Sequence, residues 1–257
     1  MNSFFIVTNE LKDQNFEVTK QINDYLVTRG KLATDNPGEA DCVLVLGGDG
    51  TLLRSAVSLA YLNIPFLGIN LGNLGFLAEV DREHIENALE KVINGEYTTE
   101  KRMMLDGGDG NSALNDVVLI GQTSMQLIYF DLYVNGLKLT NYVADGMIVS
   151  TPTGSTGYNL SAGGPIVEPR ADVMLLTPLA AHSMRSRSII LSSDDEVMME
   201  ITSGKNGEEQ TVCAVFDGHK RIIMKTGDKI KITKSEKSTT IIKISELNFF
   251  EILKQKL

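Results

Sequence analysis

The sequence predicts an open α/β sheet in its first third, followed by an all-β region. Strand-like and helical segments alternate up to about residue 95, which favours a parallel sheet covered by helices. From about residue 100 the segments become short, strand-like and separated by Gly, Asn, Asp and Ser turns. We therefore expect an α/β domain over residues 1–95, joined by the C-terminal segment 245–257, and a β-rich domain over residues 96–244.

The elements of the first third follow from hydrophobic periodicity. The unbroken apolar run Cys42–Leu46 is typical of a strand buried on both faces of a parallel sheet. Apolar residues then recur at helical spacing from Leu52 to Ala60. The other predicted elements are strands at Phe4–Thr8 and Ile64–Ile69, and helices over residues 18–26 and 85–93 that stop at Gly30 and Gly95.

The second region is predicted as a series of short strands. Turn dipeptides such as Asn135-Gly136 and Ser203-Gly204 separate them. Residues 249–257 are predicted as a helix that packs back on the first domain. The predicted strands are Leu127–Val134, Gly146–Thr151, Val173–Thr177, Ser188–Leu191, Glu196–Ile201, Val212–Phe216 and Lys229–Ile232.

The composition is that of an ordinary globular protein with an acidic surface. Apolar residues make up 42% and charged residues 22%, and the net charge is −9. Such a surface repels nucleic acid and anionic membranes, so we expect no partner of either kind. Cys42 and Cys213 lie far apart in apolar surroundings, as reduced thiols do, and the N-terminus lacks a signal-peptide pattern. The sequence therefore predicts a cytoplasmic protein.

The first candidate site is the turn Gly47-Gly48-Asp49-Gly50-Thr51, between a predicted buried strand and a predicted helix. Glycines let the backbone approach oxygen atoms, and a helix N-terminus directs N–H groups at an anion, so the turn suits phosphate. Thr51 is predicted as the N-cap. A carboxylate beside phosphates is unfavourable because the two negative charges repel, so its presence indicates a chemical role. Asp49 could hold a phosphate-bridging Mg²⁺ or accept a proton from an attacking hydroxyl.

The tetrapeptide GGDG occurs a second time, at residues 107–110, and serves as an internal control. We expect neither a buried strand before this copy nor a helix after it, so we interpret it as a β-turn. The Walker pattern GxxxxGK[ST], GxGxxG and GxSxG are absent from the sequence. The strand–turn–helix setting, and not the tetrapeptide alone, marks residues 47–51 as a functional site.

The second candidate site is a loop rich in hydroxyls and glycines that follows a predicted strand. The stretch STPTGSTGY, residues 150–158, runs on to SAGGP at residues 161–165. Its hydroxyls suit hydrogen bonds to ribose and phosphate, and the ring of Tyr158 suits packing beside a base. On these residues alone, a polar loop between two strands remains an equal alternative.

In this order, the motifs GGDGT, NLGFL, NDVV, DG with STPTGSTGY, and SAGGP resemble those of the NAD kinase family in its bacterial form. The resemblance extends over essentially the whole chain. It implies a Rossmann-like nucleotide-binding domain, a β-rich NAD-binding domain, and transfer of the terminal phosphoryl of ATP to the 2′-hydroxyl of the adenosine ribose of NAD, giving NADP. It also implies Mg²⁺ or another divalent metal with ATP, a homodimer or homotetramer, and inorganic polyphosphate as a donor in some members.

The resemblance also assigns site residues. Asp49 matches the family's base, with Gly47, Gly48, Gly50 and Thr51 around the donor phosphates. The residues matched to NAD contacts are Phe76 against the adenine, Asn115 and Asp116 at the adenine and ribose, Thr156, Gly157, Tyr158 and Ser161 in the hydroxyl-rich loop, and Asp145 at the far half of the dinucleotide, near a neighbouring subunit. His219 stands where the family varies, and an exposed turn histidine is an equal alternative.

Two other functions are weighed against this one. Diacylglycerol kinases and phosphofructokinases also carry a GGDG turn, but lipid kinases need a membrane-facing apolar or basic surface, and neither group has STPTGSTGY. A nucleotide-binding sensor without catalysis could dispense with the acid of GGDGT, yet Asp49 is present. The sequence does not decide between NAD and NADH, or between ATP and polyphosphate.

Overall fold

The structure, a computed structural model, describes residues 1–72, 75–123, 126–181, 187–244 and 248–256. The α-helices are α1 Glu17–Thr28, α2 Asp49–Leu59, α3 Ile85–Asn94, α4 Tyr158–Ser161 and α5 Phe249–Lys256. The strands are β1 Ser3–Thr8, β2 Leu32–Thr34, β3 Cys42–Gly47, β4 Phe66–Asn70, β5 Val80–Asp81, β6 Thr98–Asp106, β7 Ser112–Ala113, β8 Asp116–Gly121, β9 Ile128–Val134, β10 Leu137–Ala144, β11 Gly146–Ser150, β12 Val173–Leu179, β13 Ile189–Ser192, β14 Val197–Ile201, β15 Thr211–Phe216, β16 Lys220–Lys225 and β17 Lys229–Lys243.

The chain forms two compact units, and the first one is discontinuous in sequence. Unit 1 contains residues 1–102 and 237–257, and unit 2 contains residues 103–236. The long strand β17 therefore contributes its first part to unit 2 and its last part to unit 1.

Unit 1 is built on a parallel sheet in the order β17–β4–β3–β1–β2. All six residues of β3 are buried, as the apolar run Cys42–Leu46 predicts. Apolar faces of α1 and α3 pack together against the sheet residues Leu44 and Leu67. The carboxyl ends of β1, β3 and β4 therefore lie side by side at one edge of this sheet, where α/β folds place their ligands.

Unit 2 is a sandwich of antiparallel strands. One sheet has the order β13–β12–β11–β8–β15–β16, and the other contains β10, β9, β14 and the first part of β17. Alternate residues of each strand fill the core between them, such as Val117 and Leu119 from β8 and Phe130 from β9. The intervening residues Val118 and Ile120 lie on the opposite face of the six-stranded sheet. Unlike most outward faces, this one carries apolar side chains.

The predicted α/β region followed by a β-rich region is confirmed, and every predicted helix and strand has a counterpart. The predicted helix extends to Leu257, which lies outside the described residues. Seven strands were not predicted, namely β2, β5, β6, β7, β8, β10 and β16.

The second GGDG is a turn, as predicted, but a strand does precede it. Strand β6 pairs antiparallel with β7 across residues 107–110, and Gly108, Asp109 and Gly110 all have positive φ. No helix follows, so this copy differs from the first in backbone conformation as well as in setting.

Both cysteines are buried free thiols, as predicted. Burial raises the pKa of the Cys42 thiol to about 12. In the part of the chain that the structure describes, no helix has the length and apolar character that crossing a bilayer requires.

Candidate active site

The first GGDG joins the buried strand β3 to helix α2, as predicted. Gly48 is extended and immediately precedes Asp49, the first residue of the helix. A Cβ at Gly47 would overlap the side chain of Thr51, so the close turn requires glycine there. The prediction that Thr51 is the N-cap is wrong, because the residue flanking the helix is Gly48 and Thr51 lies inside the first turn. The hydroxyl of Thr51 accepts a hydrogen bond from Asn9 Nδ2 at 3.3 Å.

The carboxylate of Asp49 is bonded to the segment that follows β4. It accepts the N–H groups of Phe76 at 2.8 Å and of Leu77 and Ala78 at 3.2 Å each. A Cβ at Gly75 would overlap this carboxylate, so glycine at position 75 allows the segment to approach. Asp49 therefore fixes the second predicted motif, NLGFL, to the glycine-rich turn. Asn73 and Leu74, which precede Gly75 in the sequence, lie outside the described residues.

Phe76 lies close to the C-terminal helix. Its ring centroid is 6.3 Å from that of Phe249, and the ammonium nitrogen of Lys256 lies 5.1 Å from its centroid. The ring is half-buried. Helix α5 thus returns to unit 1 and packs beside a predicted substrate contact.

Asn115 and Asp116 stand at the start of β8 in unit 2. The Oδ1 atom of Asn115 is buried and accepts no hydrogen bond within the described structure, so it is an acceptor ready for a ligand donor. Asp116 is 5% exposed. Burial, together with the nearby charge of Asp217, raises the pKa of Asp116 to about 7.

The hydroxyl-rich loop divides into an internal part and an outer part. Ser150, Thr151 and Ser155 are fully buried and use their hydroxyls inside the protein; Thr151 Oγ1, for example, donates to the carbonyl oxygen of Leu114 at 2.6 Å. These hydroxyls shape the loop and cannot contact a ligand. Tyr158, by contrast, is 49% exposed.

The other predicted loop residues lie beside Tyr158. Thr156 and Gly157 are half-buried and Ser161 is exposed. A Cβ at Gly157 would stand 3.5 Å from Asn115 Nδ2, so this glycine borders the Asn115 side chain.

Two cavities on the outer face of the six-stranded sheet are lined by four of the eight residues that were matched to NAD contacts. One, of about 360 Å³, is lined by Asn115, Asp116 and Tyr158, and the other, of about 550 Å³, is lined by Asp145. Ile120 and Arg221 line both, so the cavities adjoin. Thr156, Ser161 and His219 are not among the lining residues. His219 is exposed, with Nδ1 2.9 Å from the carbonyl oxygen of Asp217.

The family model of the ATP-NAD kinase N-terminal domain matches residues 4–97, and that of the ATP-NAD kinase C-terminal domain matches residues 114–244. The chain belongs to the ATP-NAD kinase family. Its activity is thus the ATP-dependent phosphorylation of NAD to NADP.

Curated relatives and solved structures agree with this assignment. The chain is 40% identical to the NAD kinase of Agathobacter rectalis, over 100% of this chain and 99% of that one, and 38% identical to the NAD kinase of Lachnospira eligens, over 100% of both. An NAD kinase from Archaeoglobus fulgidus, solved in complex with ATP, has a TM-score of 0.80 at 26% identity and covers 96% of this chain and 95% of its own. Yeast NADH kinase, solved with NADH, shares the fold with a TM-score of 0.81 at 24% identity, over 99% of this chain and 87% of that one.

Within the NAD kinase chain, two residues of the candidate site were missed from the sequence. The carboxylate of Asp217 accepts the N–H groups of Leu114, Asn115 and Asp116 at 2.8, 2.8 and 3.0 Å. Burial raises the pKa of Asp217, and these three N–H groups oppose the rise. Arg221 is exposed, and it is the shared cation of the two cavities. The sequence signal for Asp217 was the turn FDGH at residues 216–219, which drew attention only to its histidine; Arg221 lies two residues beyond that turn.

Proposed function

We propose that Asp49 is the general base of this NAD kinase and that the donor phosphates lie against the turn Gly47–Thr51. The observation that carries the proposal is the attachment of Asp49 to the N–H groups of residues 76–78. A carboxylate offers about four acceptor positions. Three are occupied here, so one remains for the accepting hydroxyl. The same three bonds hold the carboxylate in one orientation, as a positioned base requires.

In the proposed step, the 2′-oxygen of the adenosine ribose of NAD forms a bond to the γ-phosphorus of ATP. The bond from that phosphorus to the bridging oxygen breaks, and ADP leaves with the electron pair. Asp49 takes the hydroxyl proton. Transition states of this kind are loose, so catalysis consists mainly of positioning and charge stabilisation. The glycines and the first-turn N–H groups of α2 are suited to both tasks.

We propose that Mg²⁺ or another divalent metal reaches the site with ATP. Within the described residues, no group of three or more His, Cys, Asp or Glu side chains could hold a metal ion. Asp49 is the single carboxylate of the turn itself, and both of its oxygens already accept N–H groups. Mg²⁺ commonly keeps several waters and binds through substrate phosphates. The residues present therefore fit a metal that is held mainly by the nucleotide and that neutralises phosphate charge.

For the acceptor, we propose that NAD occupies the two adjoining cavities of unit 2. The unpaired Oδ1 of Asn115 suits the amino group of adenine, and Tyr158 offers a ring beside it. Asp145, in the larger cavity, suits the nicotinamide half, whose ring is cationic in NAD. Arg221, shared by both cavities, suits the diphosphate between the two halves. We assign Thr156, Gly157, Ser161 and His219 to the rim of this site and Phe76 to the adenine.

The experiment that tests the assigned activity uses purified protein with ATP, Mg²⁺ and NAD, and measures NADP with a dehydrogenase that is strictly specific for NADP. Parallel reactions replace NAD by NADH, diacylglycerol or fructose 6-phosphate, and ATP by inorganic polyphosphate. Formation of NADP supports the proposal. Phosphorylation of the lipid or the sugar, with no NADP formed, would contradict it.

We further propose that the enzyme works in the cytoplasm as a homodimer or homotetramer. The two free buried thiols fit a reducing compartment. Ile223, which lines the larger cavity, and Ile190 are each 54% exposed and offer apolar surface on the six-stranded sheet for a second copy. Sedimentation equilibrium of the purified protein measures the assembly, and a monomer at micromolar concentration would contradict it.

A further inference from the structure

The glycine-rich turn has no lysine of its own, yet one ammonium group lies beside it. The Nζ atom of Lys12 lies 3.2 Å from the position that a Cβ would occupy at Gly48, and 3.2 Å from the same position at Gly72. Glycine at both positions therefore leaves room for the ammonium group. Lys12 follows β1, Gly48 follows β3 and Gly72 follows β4, so three loops from neighbouring parallel strands meet at this nitrogen.

The backbone around Lys12 is anchored even though its side chain is exposed. The N–H groups of Lys12 and Asp13 both donate to the carbonyl oxygen of Asn9, at 2.9 Å each. Asn9 is also bonded to Thr51 of the turn. Asp13 is buried and accepts the N–H of Val18 at the start of α1, at 2.8 Å. The loop is thus tied to helix α1 on one side and to the glycine-rich turn on the other.

A second group beside Lys12 also lacks a partner. Asn70 is 2% exposed, and its Oδ1 accepts the N–H of Gly72 at 2.9 Å. Its Nδ2 donates to no atom of the described residues. Buried donors are nearly always satisfied, so an unpaired one at the end of a strand indicates an acceptor that arrives with a ligand. Asn70 is the register partner of Gly47, which places it against the first glycine of the turn.

The charge of the site favours a cationic side chain beside the turn, in addition to the metal that arrives with ATP. The chain has a net charge of −9, and Asp49 adds a negative charge in the turn itself. The donor phosphates bring several more negative charges to the same place. In other phosphoryl-transfer enzymes, a lysine or arginine beside the transferred group stabilises the charge. The Lys12 side chain has no ion-pair or hydrogen-bond partner in the described part of the chain, so its charge is available.

We propose that Lys12 binds the donor phosphates and, with Asn70, stabilises the phosphoryl group during its transfer. The inference rests on the proposed function, in which these phosphates lie against the turn. No proton moves to or from Lys12 in this step; its ammonium group offsets the charge that builds on the phosphate oxygens as the bridging bond breaks. Because it recognises phosphate and not adenine, it serves ATP and polyphosphate alike.

The test compares Lys12→Met, Lys12→Arg and the matched control Lys20→Met, which removes an exposed lysine from α1. We expect Lys12→Met to lower kcat/KM for ATP roughly 100-fold, the loss that follows removal of one charge-stabilising donor. The KM for NAD should change less than about twofold. Lys12→Arg should recover part of the loss, and Lys20→Met should match wild type. Any second donor that wild type accepts, such as polyphosphate, should show the same loss.

The outcomes separate this inference from the proposed function. If Asp49→Asn loses turnover while Lys12→Met keeps wild-type values with ATP, the inference is overturned and the proposed function stands. A loss in Lys12→Met, with normal turnover in Asp49→Asn, supports Lys12 and overturns the base. If Lys12→Met lowers the melting temperature, or raises the KM for NAD by the same factor as the KM for ATP, Lys12 has a structural role and the inference is overturned.

Discussion

Replacing Asp49 by asparagine tests the base and the loop anchor at once. The carboxylate accepts three N–H groups, and the amide that replaces it has one oxygen and one NH₂ group. If the amide oxygen keeps the bonds from Leu77 and Ala78, the NH₂ group faces the N–H of Phe76, a bond of 2.8 Å in the wild type. At least one hydrogen bond to a charged group is therefore lost.

The magnitude follows from that count. A hydrogen bond to a charged group contributes about 1.5–3 kcal/mol, and the lost bond is replaced by two facing donors. The free energy of unfolding should fall by at least this amount, which corresponds to a melting temperature lower by roughly 5–10 °C. Turnover should fall by a factor on the order of 10² or more, because a positioned base is removed.

The assay is NADP formation at 25 °C, with thermal unfolding followed by circular dichroism on the same samples. The second GGDG supplies the matched control, Asp109→Asn, in an exposed turn where φ is +51° and asparagine is well tolerated. That variant should match wild type in both measurements. Turnover of Asp49→Asn within about threefold of wild type would refute the base, and an unchanged melting temperature would refute the anchor.

Three further predictions concern ionisable side chains that are at least half-buried. Asp217→Asn should raise the KM for NAD about tenfold or more, because the backbone of residues 114–116 loses hydrogen bonds to a carboxylate. The KM for ATP should stay unchanged, and an equal rise in both KM values would contradict the positioning role. The pKa of Asp116 is raised to about 7, so the folded state holds a proton that the unfolded state releases near pH 4, and stability falls as pH rises between these values. The unfolding free energy of Asp116→Asn minus that of wild type should therefore increase from about pH 4 to pH 7 and stay constant above pH 7. Urea titrations measure this difference, and a difference that does not change with pH would contradict the prediction. Lys243→Met should destabilise by about 3–5 kcal/mol, because it breaks the buried ion pair between Lys243 and Glu79, and the double variant with Glu79→Met should recover most of the loss.

Sequence patterns predicted the elements that bury an apolar face. The run Cys42–Leu46 was sufficient because a strand that is buried on both faces is apolar at every position. The helix after it was sufficient because its one buried face leaves apolar residues at helical spacing. Strands β6, β10 and β16 were missed because many of their residues are exposed, as are the first five residues of β10, so no buried face marks them in the sequence. Pairing with a neighbouring strand forms these elements, and pairing partners are not visible in a local pattern.

The sequence assigned the candidate site where a motif lies next to a recognisable strand or helix, namely at the glycine-rich turn and the NDVV segment. Thr51 was wrongly predicted as the N-cap because glycine, which has no capping side chain, holds that position. Asp217 was missed for a different reason, which applies equally to Lys12, the residue proposed above for the donor phosphates. Asp217 acts on residues about a hundred positions earlier, and Lys12 meets glycines that follow two later strands. Only the folded chain brings such groups together.

The division of the chain also has a consequence for biosynthesis. Unit 2 is one uninterrupted stretch, residues 103–236, whereas the parallel sheet of unit 1 gains the strand that places Ile241 beside Phe66 only after unit 2 has been synthesised. Until then the nascent chain has Phe66 of β4 without its neighbour Ile241 and the Phe76 ring without Phe249, and such unpaired edges and exposed rings are prone to association with other chains. A chain that ended before residue 237 would thus contain the whole of unit 2 and an incomplete unit 1 that is prone to aggregation.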